Sequence, residues 1–226
     1  MKGYGQFCPV AKAAEVVAER WTMLVIRELI SGSQSFNDIR RGVPLMSPTL
    51  LSSRLKMLEG AGVIKRMDLK KGVAYSLTKA GKELKPIILQ MAVWGQRWVR
   101  SDMSEELDPK ILMWDMKRRL DISFFQKKRT TLCFQFSDYG LELRTWWLVS
   151  GKKETDVCMK DPGYEVDLYL FTDLKTMTQI WMGDIKVSKA LREETLEWSG
   201  DATLGKNISK WLGRNLFADV KPAKQS

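Results

Sequence analysis

Histidine is absent from the 226 residues. That removes Ser-His and Cys-His nucleophile pairs and every histidine metal ligand at once. Cysteine is scarce: Cys8, Cys133 and Cys158 stand far apart, odd in number, with no CxxC spacing. The pattern argues against a zinc site and a disulfide framework, and a reducing cytoplasm is the expected setting. No apolar run approaches the roughly 18 residues that a membrane span needs. No signal peptide is visible, since no long apolar stretch follows the N-terminal charges. Clustered carboxylates and a glycine-rich phosphate loop are missing too, so the sequence points to neither an enzyme nor a cofactor-bearing protein.

Acidic residues are sparse in one part only. Residues 1–100 carry 17 Lys+Arg against 7 Asp+Glu, whereas residues 101–226 carry 20 of each. The whole net charge of +10 therefore sits in the N-terminal part. A basic part joined to a neutral one suggests that the first meets a polyanion and the second does something else. Charge alone leaves DNA, RNA and an acidic membrane surface open. The length allows one large or two small domains, and 44% hydrophobic residues are enough for a real core.

Apolar periodicity predicts helices over 9–19, 21–29, 36–39 and 48–59, with Thr22 as cap of the second. Ser47 is the expected N-cap of the fourth, Pro48 its first residue, and Gly60 and Gly62 its stop. The period then changes to two over 63–67 and 73–77, with 68–72 as the turn. Thr78 caps an expected long helix from Lys79 to about Arg100, striped by Leu84, Ile87, Ile88, Met91, Trp94 and Trp98. Residues 101–124 read as a linker and connecting helix, which Pro109 can start. Next, Leu132, Phe134 and Phe136 share one strand face, and Leu141, Leu143, Thr145 and Trp147 share a face of the following strand, with 137–140 as the turn. Val166, Leu168 and Leu170 mark another strand. Helices are expected over 173–181, within 185–194 and over 202–212. The fold class is α+β. A winged helix-turn-helix over 1–100, with a three-helix core, hairpin wing and long closing helix, precedes a mixed sheet domain over 125–220.

The fourth helix carries the most chemistry. Leu51, Leu55 and Leu58 lie at i, i+4, i+7 and can pack inward. Thr49, Ser52, Ser53 and Lys56 form a separate face at i, i+3, i+4, i+7, with no carboxylate before Glu59. Small hydroxyls let a helix approach base edges, while Arg54 and Lys56 can neutralise phosphates, and the free amides after Ser47 and Pro48 can meet a phosphate. Arg40 and Arg41 precede this helix. Lys65, Arg66, Lys70 and Lys71 follow on the ribbon, whose tip can reach a minor groove or a backbone strand. A polar helix face is often only solvated surface; the order of helices followed by a basic ribbon is the specific signal.

Several motifs resemble the HxlR-type winged-helix regulators of bacteria, a MarR-like group. They include Phe7-Cys8-Pro9-Val10, Arg20-Trp21-Thr22, Leu24-Val25-Ile26-Arg27-Glu28-Leu29 and Phe36-Asn37-Asp38-Ile39. The run Met46 to Leu55, Gly62-Val63-Ile64, Tyr75-Ser76-Leu77-Thr78 and Trp94-Gly95 continue the likeness, which covers about residues 4–100. It implies a homodimeric transcription regulator, expected to be a repressor, on double-stranded operator DNA, cytoplasmic and nucleoid-associated when bound. The helices near 9–18 and 83–99 would make the dimer. Several members of this family sense oxidants through a cysteine at the place of Cys8, which here starts a helix one turn before Lys12, a setting that favours thiolate. The bland alternative is a packed, inert thiol.

The second part is similar to the sterol carrier protein fold, through Val166 to Phe171 and Leu196 to Leu204. That resemblance implies a mixed sheet with helices around an apolar tunnel for a hydrophobic small-molecule effector. Trp146, Trp147, Trp181, Trp198 and Trp211 are candidates to line it, or simply to fill a core. The competing functional reading is a lipid or small-molecule carrier whose basic domain docks on a protein partner.

Overall fold

A computed structural model describes residues 3–70, 72–99, 107–151 and 154–223. The chain forms two compact units, Met1–Trp94 and Gly95–Ser226.

In the first unit, α1 (Pro9–Val17), α2 (Thr22–Ile30), α3 (Phe36–Gly42) and α4 (Pro48–Gly60) precede an antiparallel ribbon of β1 (Ile64–Asp68) and β2 (Val73–Leu77). Ile64 pairs with Leu77 and Asp68 with Val73. The core joins Val25, Ile26 and Leu29 of α2, Ile39 of α3 and Leu51, Leu55 and Leu58 of α4. Thr22 is not the cap of α2. Trp21 holds that place with φ 75°, and Thr22 is buried inside the first turn.

The expected long closing helix is two helices, α5 (Lys79–Glu83) and α6 (Lys85–Trp98). Pro86 explains the break. It has no N–H to give the carbonyl four residues back, and its ring restricts the residue before it. Thr78 caps α5 as expected, accepting from the Gly81 amide at 3.2 Å, and its hydroxyl reaches the Gly62 carbonyl at 2.6 Å.

A buried carboxylate ties α2 to α3. Glu28 has no exposed surface, and Arg27 Nη2 donates to its Oε1 at 2.9 Å and to the Gly42 carbonyl at 2.8 Å. Ser33 Oγ donates to Glu28 Oε2 at 3.1 Å. A Cβ on Gly42 would lie 1.9 Å from Glu28 Cδ, so only glycine lets the end of α3 close onto that group. Gly42 is therefore a packing residue.

The second unit holds a five-stranded sheet in the order β5 (Thr155–Cys158), β4 (Thr145–Ser150), β3 (Thr130–Phe136), β6 (Leu168–Thr172), β7 (Leu196–Gly200). β3 and β6 run parallel and the other neighbours antiparallel. One face buries Leu132, Phe134, Phe136, Trp146, Leu148, Leu168 and Leu170. That core also takes in α7 (Pro109–Lys117), α9 (Leu174–Met182), α10 (Val187–Arg192), α11 (Ala202–Lys206) and α12 (Ile208–Trp211). Leu112, Met113 and Met116 of α7 are core residues, so this segment does more than connect.

Leu141–Arg144 form a short helix, α8, where a strand is expected. The true strand β4 points Trp146, Leu148 and Ser150 inward and leaves Trp147 on the opposite face. One residue of offset inverts a whole strand face.

Gly42→Ala is expected to destabilise the first unit by about 3 kcal/mol, through overpacking against a buried ion pair. Gly60→Ala, where a Cβ meets nothing within 4 Å, should leave stability unchanged or raise it by about 0.5 kcal/mol. Urea unfolding of both variants measures this; equal midpoints would refute the packing role of Gly42.

Candidate nucleic-acid interface

The Ser47 hydroxyl accepts from the Leu50 amide at 3.2 Å and Pro48 occupies the first turn, which sets where α4 begins. Leu51, Leu55 and Leu58 are buried against the rest of the unit. The 3.6-residue period then leaves Thr49, Ser52, Ser53 and Lys56 together on the exposed side, with Ser47 and Pro48 exposed at its start. This face presents hydroxyls and an ammonium.

Arg54 is the residue of α4 that the structure places elsewhere. Its side chain is only 15% exposed. Nη2 donates to Glu19 Oε2 at 2.8 Å and Nε to the Arg20 carbonyl at 3.2 Å. The guanidinium thus pins α4 to the α1–α2 connection, a structural duty in place of the phosphate contact read from sequence. Arg40 is exposed at the end of α3, and Arg41 lies 3.6 Å from Asp38 of the same helix.

The ribbon is held to the helices by a third extended segment. Ser35 bridges Ala74, and the Tyr75 amide donates to the Gln34 carbonyl at 2.8 Å. Since Ser35 also caps α3, accepting from the Asp38 amide at 3.1 Å, the same residue sets both the ribbon and the helix pair. Lys65 and Lys70 are exposed, whereas Arg66 pairs with Asp68 at 2.8 Å. The turn closes through the Leu69 amide on the Gly72 carbonyl at 3.0 Å, with Gly72 at φ 88°, a conformation glycine adopts without strain. Lys71 lies outside the described residues.

Cys8 is half-buried as the N-cap of α1, its side chain making no capping bond. Lys12, the cation expected to face it, instead bonds both carboxylate oxygens of Glu15 at 3.1 Å. Cys133 is enclosed in the sheet, and burial pushes its thiol up to about 11.

The five tryptophans do not line one cavity. Trp147 is on the sheet face opposite Trp146, between Cys133 and Cys158 on the neighbouring strands. Trp146, Trp181 and Trp211 are buried in the core and Trp198 packs at its edge. The indoles of Trp146 and Trp211 donate to the Leu143 and Leu204 carbonyls at 2.7 and 2.8 Å. Gly205 sits under Trp198 so closely that a Cβ would lie 2.3 Å from its ring. Trp146, Trp181, Trp198 and Trp211 thus fill or edge the core, and Trp147 lies outside it.

Among the described residues no helix is long and apolar enough to cross a membrane. The model of the HxlR-like helix-turn-helix family matches residues 16–103. The chain is 38% identical over 98 residues to the uncharacterized HTH-type transcriptional regulator YvaP of Bacillus subtilis, spanning 42% of this chain and 91% of that protein. It is 30% identical over 95 residues to the HTH-type transcriptional regulator YodB of Bacillus subtilis, spanning 40% and 85%. Among solved structures, the redox regulator HypR in its oxidized form is 34% identical, with a TM-score of 0.39, over 42% of this chain and 99% of that one. The family model and the two curated relatives agree: the chain belongs to the HxlR-like helix-turn-helix family and is a transcriptional regulator of that type.

Proposed function

We propose that the protein represses transcription by binding operator DNA as a homodimer, each α4 entering a major groove and each ribbon lying along the backbone. The observation that carries this is the exposed face of α4, where Thr49, Ser52, Ser53 and Lys56 stand together without a carboxylate. In this reading the three hydroxyl residues meet base edges, with Ser47 and Pro48 at the helix start. Arg40, Arg41, Lys56, Lys65, Lys70 and Lys71 neutralise phosphates.

Exposed apolar surface supports the dimer. Ile87, Met91 and Trp94 follow one another at i, i+4, i+7 along α6 and are 54, 46 and 60% exposed. None of the residues of α1 is buried, and Val10 is 75% exposed. Stripes of this kind on a lone chain mark a surface that another chain covers. A two-fold dimer places two recognition helices on half-sites about one helical turn apart. The second unit enters the reading as an effector domain. Its mixed sheet with core helices supports the sterol-carrier likeness, while its packed tryptophans do not support an open lipid tunnel. The oxidisable element in this reading is Cys8, a half-buried thiol in the DNA-binding unit, whereas Cys133 is shut in the sheet.

Binding of genomic fragments across a salt series tests the interface. Replacing Lys56 and Lys70 by alanine is expected to weaken all sequences alike and to reduce the slope of log K against log salt by about 0.9 per lost contact. Arg54→Ala should instead lower unfolding stability by roughly 1.5–3 kcal/mol, the usual worth of charged hydrogen bonds. An unchanged slope in the lysine variant removes these residues from the interface.

Sedimentation velocity tests the dimer: Met91→Asp with Trp94→Asp should yield monomers and loss of operator binding. A dimer of unchanged affinity would place the interface elsewhere. For the thiol, hydrogen peroxide should release DNA from the wild type, through sulfenic acid formation, and leave the Cys8→Ser protein bound. Equal release from both clears Cys8 of the role.

A further inference from the structure

The turn between α3 and α4 holds one large apolar side chain out in solvent. Leu45 is 81% exposed. Val43 and Met46, which flank the turn, are buried in the core of the first unit. The Met46 amide donates to the Val43 carbonyl at 3.0 Å, closing a tight turn with Pro44 and Leu45 at its two corners. Proline fixes the first corner and stiffens the turn. Anchored backbone on both sides therefore directs Leu45 outward, and a small shift cannot return it to the core. Keeping a leucine in water forgoes a stabilisation worth roughly ten-fold or more in the folding equilibrium.

The position of this leucine in the chain gives it a context. Arg40 and Arg41 close α3 just before the turn, and Ser47 caps α4 just after it. Pro48 is exposed in the first turn of α4, so apolar groups lead into the hydroxyl face of Thr49, Ser52 and Ser53. Leu45 belongs to neither apolar stripe, of α1 or of α6, that the dimer reading uses. A leucine carries no charge and no hydrogen-bonding group, so phosphates and polar base edges do not answer it. The base edges of the major groove hold one apolar group, the C5-methyl of thymine.

We propose that Leu45 is a specificity-determining residue that packs on the C5-methyl of one thymine in each half-site of the operator. This inference rests on the DNA-binding reading above and adds to it a base selected by apolar contact. Thr49 also carries a methyl group on the same side of α4, so the test must separate the two residues.

The test uses the full chain and a duplex retained from the genomic fragments. Each thymine in turn is replaced by deoxyuridine, which removes the methyl and keeps the base pair. At one position in each half-site the replacement should weaken wild-type binding about four-fold, the worth of burying one methyl-sized group. Leu45→Ala should bind the thymine duplex more weakly and lose the distinction at that position, with an unchanged unfolding midpoint and an unchanged salt slope. Leu45→Met, which keeps an apolar reach, should retain most of the distinction, and so should Lys70→Ala. A wild type indifferent to every thymine methyl overturns the proposal. A distinction that persists in Leu45→Ala and disappears in Thr49→Ser overturns it too, and gives the methyl to Thr49. A Leu45→Ala protein that sediments as a monomer where the wild type is a dimer makes Leu45 a subunit contact and likewise overturns it. Failure of the wild type to retain any duplex sinks the DNA-binding reading and this inference with it, whereas a retained duplex without the methyl effect sinks this inference alone.

Discussion

The first unit depends on one buried negative charge. Glu28 sits out of water, and a carboxylate there is tolerable only when hydrogen bonds and a cation surround it. Arg27 and Ser33 supply them, and the same Arg27 nitrogen that holds Glu28 also holds the last carbonyl of α3. Satisfying the charge therefore fixes the end of α3 against α2. The turn to α4 starts from that point, so the placement of α4 follows from it. Gly42 is the steric condition: any side chain there would occupy the space of the carboxylate.

A second link completes the orientation of α4. Arg54 reaches across to Glu19 and the Arg20 carbonyl, and the three buried leucines hold the opposite side. The ribbon is referred to the same frame, because Ser35 caps α3 and bridges β2. Helix face and ribbon thus have a common mechanical origin. In the proposed DNA-binding role, two elements tied through one residue would meet a groove and a backbone strand in a common register.

What was legible in the sequence followed from local chemistry. Ser47, Pro48 and the leucine spacing of α4 each act within a turn, and each appears in the structure as the pattern implies. Thr78 and Asp173 likewise cap α5 and α9 where the sequence places helix starts. Pro86 was equally visible, but the apolar stripe running through it concealed the break. Arg54 was not legible: its partner lies 35 residues earlier, and nothing in the pattern of α4 separates it from Lys56. The tryptophan reading failed for a subtler reason. Treating Leu141–Arg144 as strand shifts the alternation by one, which turns Trp147 inward on paper and outward in the sheet. Glu28 and Gly42 also look ordinary in sequence, since their importance lies in a contact between two helices.

Much of the positive charge of the N-terminal part divides by residue type, although Lys12 pairs with Glu15 and Arg40 is exposed. Arg27, Arg54 and Arg66 are engaged in ion pairs that hold backbone or strand geometry. Lys56, Lys65, Lys70, Lys82 and Lys85 make no ion pair among the described residues and are exposed. Guanidinium suits the first task because its planar fork satisfies two acceptors in fixed directions, as Arg27 and Arg54 both do. Ammonium suits the second because a hydrated point charge on a flexible stem can follow a phosphate or a carboxylate without a preset geometry. Net charge alone therefore overstates how many cations are available to a partner. The number that counts is the cations left over after the ion pairs of the fold are made, and exposed ones lie on α3, α4, the ribbon and the α5–α6 junction.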